Sequence, residues 1–138
     1  MRRKLVILMV EDDKFFAEIC ERHFTIHKFQ TKIAKNFIEA DKKIKRAAPD
    51  IIIVDIALEE QFGLKWIKNL RGEEITAKIP VVVLTGLGDR ENIQQALEIG
   101  ANKYFLKSQI TPHELAEQVS LLIKSSSSSS YSPSTPSI

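Results

Sequence analysis

The chain has 138 residues, of which 43% are hydrophobic and 28% are charged. This length fits one domain and is too short for two ordinary ones. The composition excludes a disordered chain, a collagen and a coiled-coil rod. The formal net charge of +2 is too small to indicate nucleic acid or a membrane surface as a partner. We therefore expect one packed domain in which the placement of charges matters more than their total.

Cysteine content and apolar runs bear on where the protein works. Cys20 is the single cysteine, which excludes an intrachain disulfide and a cysteine-rich metal site. The longest apolar run spans residues 5–10, whereas a membrane-spanning helix needs about 20 residues. The basic start of the chain lacks the long apolar run and the cleavage site of a signal peptide. These features predict a cytoplasmic protein.

The composition changes abruptly after Lys124. The last 14 residues contain nine serines, two prolines and no charged residue. Such a segment has too little apolar surface to offset the entropy lost on ordering. We predict a folded domain over residues 1–124, followed by a Ser/Pro-rich flexible tail or linker remnant over residues 125–138.

Short apolar runs rich in Val and Ile are typical of strands that are buried on both faces of a sheet. The clear runs are Leu5–Val10, Ile51–Val54 and Val81–Leu84, and the weaker ones are Phe29–Ala34 and Tyr104–Leu106. Segments with helical periodicity separate them, and in the first of these segments one apolar face, predicted to pack on the core, is formed by Phe16, Ile19, Cys20 and Phe24. N-cap signals for these helices are Asn36 with Glu39, Asp89, and Thr111 with Glu114. Strands that alternate with helices indicate an α/β fold with a parallel sheet covered on both faces.

Polar residues stand at the C-terminal ends of four predicted strands. They are Glu11, Asp12 and Asp13 after the first strand, Asp55 after the third, Thr85 after the fourth and Lys107 after the fifth. Because ligands of parallel sheets bind beyond the carboxyl ends of the strands, we expect these side chains to share one site. Two unit charges about 4 Å apart repel by roughly 4 kcal/mol at an effective dielectric constant of 20. Clustered carboxylates therefore need a cation or a proton.

The kinds of side chain at this edge indicate a chemistry. Oxygen ligands favour Mg²⁺, whereas zinc would need His or Cys. Asp55 would be both a metal ligand and a nucleophile, since a carboxylate can attack phosphorus to form an aspartyl phosphate. The metal, Lys107 and the Thr85 hydroxyl would then neutralise charge on the transferred phosphoryl group.

Short motifs around these residues occur in the order and spacing of one family. They are Val10-Glu11-Asp12-Asp13, Ile53-Val54-Asp55, Leu84-Thr85-Gly86 and Phe105-Leu106-Lys107, together with Gly63 eight residues after Asp55. Over about residues 5–123 the chain resembles a CheY-like response-regulator receiver domain of two-component signalling. The resemblance implies a flavodoxin-like, doubly wound sheet of five parallel strands in the order 2-1-3-4-5, with five helices.

The resemblance also implies a role for each residue of the site. Asp55 would accept a phosphoryl group from a histidine kinase or a histidine phosphotransfer protein. The implied Mg²⁺ ligands are Glu11, Asp12, Asp55 and the backbone carbonyl of Ala57, with Asp13 outside the ligand set. The phosphoryl oxygens would be held by Thr85, Lys107 and the amides of Ala57 and Gly86. Thr85 and Tyr104 would form the switch.

We expect a stand-alone receiver that acts in a phosphorelay, because the chain ends soon after its fifth helix. It would change a partner surface made by the fourth helix, the fifth strand and the fifth helix, from Ile93 to Val119. The downstream protein is not indicated. The chain would be a monomer or a phosphorylation-dependent homodimer. It would not be an enzyme beyond promoting its own phosphorylation and dephosphorylation.

Two departures from the family leave a second function open. Ser108 stands where the family has a cis proline, and a cis bond before serine costs about 2.5 to 4 kcal/mol; Glu59 replaces another common proline. A pseudo-receiver that binds partners without phosphorylation is therefore the alternative, against which the intact site residues argue. The acidic run would repel a flavin phosphate, and Ala57 stands where an aspartate-dependent phosphatase needs a second acid, so neither of these functions fits.

Overall fold

A computed structural model describes residues 3–58, 62–86 and 90–127, and these ranges contain a five-stranded parallel sheet with helices on both faces. The strands are β1 (Val6–Val10), β2 (Gln30–Ala34), β3 (Ile51–Asp55), β4 (Val81–Thr85) and β5 (Lys103–Leu106). The helices are α1 (Lys14–Ile26), α2 (Phe37–Arg46), α3 (Phe62–Gly72), α4 (Arg90–Glu98) and α5 (Pro112–Ser127). A short 3₁₀ turn, Lys107–Gln109, joins β5 to α5.

The strands lie in the order β2-β1-β3-β4-β5, which confirms the predicted doubly wound topology. The register sets the strand ends beside one another, because Asp55 pairs with Leu84 and Thr85 pairs with Leu106. Lys107 follows β5 directly. Asp55, Thr85 and Lys107 therefore end three neighbouring strands at the same edge of the sheet.

Alternate residues of the inner strands enter two separate cores. In β1, Leu8 and Val10 face a core under α2, α3 and α4, whereas Ile7 and Met9 face a core under α1 and α5. All four side chains are essentially inaccessible to solvent. Burial of such a side chain contributes about 1.5 to 3 kcal/mol, which explains why these strands are apolar at every position rather than at every second one.

Side-chain caps fix where several helices begin. Asn36 Oδ1 accepts the N–H of Glu39 at the start of α2, as predicted. At the start of α5, Thr111 Oγ1 accepts the N–H of Glu114 and Glu114 Oε1 accepts the N–H of Thr111, which confirms the predicted capping box. The cap predicted at Asp89 lies outside the described residues.

Helix α5 ends at Ser127, three residues beyond the predicted domain boundary at Lys124. Residues 128–138 lie outside the described ranges, so the flexible tail stays a prediction. No helix within the described ranges is long and apolar enough to cross a bilayer.

Gly63, the second residue of α3, allows this helix to approach the backbone that follows Asp55. A Cβ atom at this position would lie 2.7 Å from both the Cα and the carbonyl oxygen of Ile56. That separation is far inside van der Waals contact, and the atoms it meets belong to the backbone. The glycine is therefore required by the close approach of α3 to the segment that leads out of β3.

Gly63→Ala should lower the free energy of unfolding by about 1 to 3 kcal/mol, the usual cost of overpacking. The control is Gly72→Ala at the end of the same helix, where an added methyl meets nothing within 4 Å. It should leave stability unchanged or raise it by up to about 1 kcal/mol, since alanine is the better helix former. Urea unfolding followed by Trp66 fluorescence measures both variants. Equal stabilities would contradict the close approach of α3.

Candidate functional site

Three charged side chains from different strands meet at the carboxyl edge of the sheet. Lys107 Nζ lies 2.7 Å from Glu11 Oε1 and 3.0 Å from Asp55 Oδ2. The Glu11 side chain is fully buried, and that of Asp55 is 10% exposed. The parallel register explains the meeting, because β1 and β5 end on either side of β3 and β4 at this edge. The sequence-predicted convergence of Glu11, Asp55 and Lys107 is therefore present in the fold.

Burial and neighbouring charges shift the pKa values of Glu11 and Lys107 in opposite directions. Burial raises the pKa of Glu11, and the Lys107 ammonium and the Asp13 amide offset this effect only in part. Burial also acts to lower the pKa of Lys107, but Glu11 and Asp55 outweigh it, and the pKa of Lys107 is raised. Lys107 therefore remains an ammonium. It supplies the cation that clustered carboxylates need, a role that the sequence had suggested for a metal ion.

Backbone amides fix the orientation of both carboxylates. Ala57 N–H donates to Asp55 Oδ1 at 2.9 Å, and Asp13 N–H donates to Glu11 Oε2 at 3.0 Å. Each carboxylate thus points one oxygen at the backbone and the other at Lys107. Glu11 Oε1 is completely buried, and the Lys107 ammonium 2.7 Å away compensates its charge.

The donor set fits Mg²⁺ in kind and in charge. Glu11, Asp12 and Asp55 are three carboxylates at this edge, and Lys107 brings a single positive charge to it. Within the described residues, no three acidic, histidine or cysteine side chains are arranged as a ready metal site. Mg²⁺ commonly uses only one or two protein carboxylates and keeps several waters, so Glu11 and Asp55 would suffice. The carbonyl of Ala57 is a further oxygen on the same segment.

The remaining predicted site residues lie at or near the same edge. Thr85 is buried at the last position of β4, and Gly86 follows it in an exposed bend. Asp12 is exposed beside Glu11. Asp13 Oδ1 accepts the N–H of Phe16 and so caps α1. Tyr104 is half-buried and packs against the core under α2, α3 and α4.

The segment after Lys107 differs from the geometry that the family proline would impose. Among the described residues no peptide bond is cis, so the bond between Lys107 and Ser108 is trans. The chain continues as the 3₁₀ turn Lys107–Gln109 before α5 begins. Ser108 therefore follows a trans bond and lies inside this tight turn.

Phe16 belongs to the site although its sequence position predicted only core packing. Its ring centroid lies 5.0 Å from Lys107 Nζ, within the range of a cation–π contact. Lys107 is distant in sequence, so periodicity along α1 could not have revealed this pairing. The only local signal is an aromatic residue in the first helical turn after an acidic run.

The site is separate from a groove that lies between described residues of α2, α3 and α4. That groove has a volume of about 1100 Å³ and runs along α3, where Ile44 of α2, Trp66 of α3 and Gln95 of α4 are among its lining residues. It does not reach Asp55. The carboxylates instead form a small polar cluster at the sheet edge.

Lys107→Met should lower the free energy of unfolding by about 2 to 4 kcal/mol, because it leaves the buried Glu11 carboxylate unpaired. The loss should shrink between pH 7 and pH 4. A carboxyl group whose pKa is raised by folding stabilises the fold when protonated, and this contribution is lost as the pH rises. Chemical denaturation at the two pH values measures the effect. Lys103→Met, at the other end of β5, is the matched control and should show no such pH dependence.

Sequence comparisons agree with the geometry. A family model described as response regulator receiver domain matches residues 7–120. The phosphate regulon transcriptional regulatory protein PhoB of Escherichia coli (strain K12) is 32% identical over 118 residues, which are 86% of this chain and 51% of that protein. The transcriptional regulatory protein KdpE of Staphylococcus aureus is 32% identical over 101 residues, or 73% of this chain and 42% of that protein. The chain spans about half the length of these curated relatives.

Solved structures agree as well. A response regulator from Thermotoga maritima superposes with a TM-score of 0.80 at 25% identity, covering 89% of this chain and 100% of that one. The signal receiver domain of a signal transduction histidine kinase from Syntrophus aciditrophicus gives a TM-score of 0.76 at 30% identity, covering 96% and 97%. Together with the family match over residues 7–120, these likenesses show that the chain belongs to the response regulator receiver domain family.

Proposed function

We propose that this receiver domain accepts a phosphoryl group on Asp55 from a phosphohistidine, carried by a histidine kinase or a histidine phosphotransfer protein, with Mg²⁺ as cofactor. The observation that carries the proposal is the convergence of Asp55 and the buried Glu11 on the ammonium of Lys107 at 3.0 and 2.7 Å. Membership of the receiver family supports the same function. The domain would not be an enzyme beyond promoting its own phosphorylation and dephosphorylation.

The transfer is a substitution at phosphorus. A carboxylate oxygen of Asp55 attacks the phosphorus atom, forming an acyl phosphate P–O bond. The P–N bond to the donor imidazole breaks, its electron pair stays on the ring nitrogen, and that nitrogen takes a proton. Water later attacks the acyl phosphate, which returns Asp55 and inorganic phosphate.

The residues around Asp55 stabilise the charge that the phosphoryl group brings. Lys107 is already 3.0 Å from Asp55 Oδ2, so its ammonium is in place to pair with a phosphoryl oxygen. The amide of Ala57, which donates to Asp55 Oδ1 before phosphorylation, the amide of Gly86 and the hydroxyl of Thr85 would be further donors to the phosphoryl oxygens. Glu11, Asp12, Asp55 and the carbonyl of Ala57 would hold Mg²⁺, which when bound supplies two positive charges.

The output would be a change in the surface formed by α4, β5 and α5. Thr85 ends β4 and Tyr104 lies on the neighbouring β5, so as switch residues they would connect the phosphorylation site to this surface. Leu97 of α4 and Leu121 of α5 are 41% and 57% exposed and would be available to a partner. We expect a downstream protein or a phosphorylation-dependent homodimer to bind there. Stand-alone action, in the cytoplasm, remains part of the proposal.

One observation favours the pseudo-receiver as a second candidate. Lys107 already pairs with both Glu11 and Asp55, so the charges of the site are partly balanced without phosphate or metal. In that case the domain would bind its partners unmodified. The following experiment separates the two candidates.

Incubation with Mg²⁺ and a small acyl-phosphate donor should add the mass of one phosphoryl group, because Asp55 is the nucleophile. Asp55→Asn should abolish this gain in intact-protein mass spectrometry. Asp50→Asn is the matched control, since Asp50 immediately precedes β3 at its opposite end. A gain that survives Asp55→Asn, or no gain in the unaltered chain, would reject the proposal.

Mg²⁺ should raise Tm by about 4 to 8 °C when present at roughly ten times its dissociation constant, because binding to the folded chain alone stabilises it. The reason is the excess negative charge of Glu11, Asp12 and Asp55 over Lys107. Asp12→Asn and Glu11→Gln should reduce the response in thermal melts followed by circular dichroism. Asp41→Asn, on α2, should not. A Tm that follows ionic strength alone, equally with NaCl, would count against the metal site.

A further inference from the structure

Phe16 is linked by successive contacts to Asp13, Glu11 and Lys107 at the site. Glu11 Oε2 accepts the N–H of Asp13 at 3.0 Å, and Asp13 Oδ1 accepts the N–H of Phe16 at 3.1 Å. The Phe16 ring then lies 5.0 Å from Lys107 Nζ, which itself lies 2.7 Å from Glu11 Oε1. This series of contacts begins and ends at Glu11. The N-terminal turn of α1 thus places an aromatic ring against the ammonium by way of the cap that begins the helix.

We propose that Phe16 is a positioning residue for phosphoryl transfer, whose ring holds the Lys107 ammonium beside Asp55. This inference rests on the proposed function and adds a residue to it. Asp13 acts with Phe16, because its cap sets the position of the Phe16 backbone. Asp13, the third residue of the acidic run, therefore contributes to the site by capping α1 and not by binding a metal.

The Phe16 ring differs from Glu11 and Asp55, the carboxylate partners of Lys107, because it is not a ligand for Mg²⁺. Lysine is flexible, with a four-carbon stem and about 2 kcal/mol of rotamer entropy to lose when it is fixed. Glu11 and Asp55 fix it now, but the same oxygens are those that would turn to Mg²⁺ and to the phosphoryl group. The negative face of an aromatic ring attracts a cation and cannot serve as a ligand for the hard Mg²⁺ ion. Phe16 can therefore keep Lys107 at the site after its carboxylate partners change.

Core packing alone is a competing account of Phe16. Its side chain is half-buried and packs against the core under α1 and α5. The neighbouring residue Phe15 has the same side chain in the same helical turn but is 75% exposed. A comparison of the two positions therefore separates the contact with Lys107 from a general effect of removing an aromatic residue from α1.

The experiment uses the full chain with Phe16→Leu, which keeps apolar bulk without a ring, and Phe16→Tyr, which keeps the ring. Phe15→Leu is the matched control, and Phe16→Met replaces Phe16→Leu if the latter does not fold. The first measurement is the rate of phosphorylation by a small acyl-phosphate donor with Mg²⁺. The second, made without metal or donor, is the NMR chemical shift of the Lys107 ε-methylene group, which a ring at 5.0 Å displaces.

Phe16→Leu should slow phosphorylation about two- to fivefold, the ratio expected for a cation–π contact at a partly exposed site, and should move the Lys107 ε-methylene shift toward that of exposed lysines. Phe16→Tyr should restore both, and Phe15→Leu should change neither. Unchanged Lys107 signals in Phe16→Leu, or a rate equal to that of Phe15→Leu, would overturn the assignment.

Failure of the proposed function gives a different result. If the unaltered chain gains no phosphate, that function is rejected, and the role in phosphoryl transfer is rejected with it. The Lys107 shift in Phe16→Leu then still shows whether the ring contacts the ammonium.

Discussion

Glu11 carries a carboxylate that is completely buried, and taking such a group out of water costs several kcal/mol unless a cation accompanies it. Lys107 is that cation, 2.7 Å away, and it reaches Asp55 at the same time. The pairing needs β1, β3 and β5 to end at one edge in the observed register. The site therefore depends on the register of the sheet, because a shift of register would separate the Lys107 ammonium from the two carboxylates whose charge it balances.

The sheet could be predicted from the sequence because its physical requirements are local. A strand buried on both faces must be apolar at every position, and a helix must find caps for its free amides, so the runs around Ile53 and Val83 and the cap at Thr111 are visible without a structure. The edge residues followed from the same rule, since strand ends of a parallel sheet coincide. The polar residues at this edge were thus predictable as a set, whereas Phe16 was not.

The partners of those residues were not predictable, because they depend on side-chain conformations and on contacts between distant segments. Repulsion among the acids indicated a divalent ion, whereas the nearest cation in the fold is Lys107. Phe16 was assigned to the core by its helical spacing, and nothing in the sequence connects its ring with Lys107. The expected glycine at position 63 was identified by spacing, but its physical cause, contact with the backbone of Ile56, required coordinates.

Each strand of the parallel sheet is followed by a helix that runs antiparallel to it. The five helices of the described ranges therefore all begin at the edge where Asp55 lies. Each helix start carries about half a positive elementary charge from its aligned peptide dipoles. The helix dipoles therefore place partial positive charge at the end of the fold that carries the carboxylates. A dianion attached to Asp55 would lie at the end of the fold where the helix dipoles favour negative charge. The backbone, and not only the side chains, therefore favours the addition of negative charge at this end.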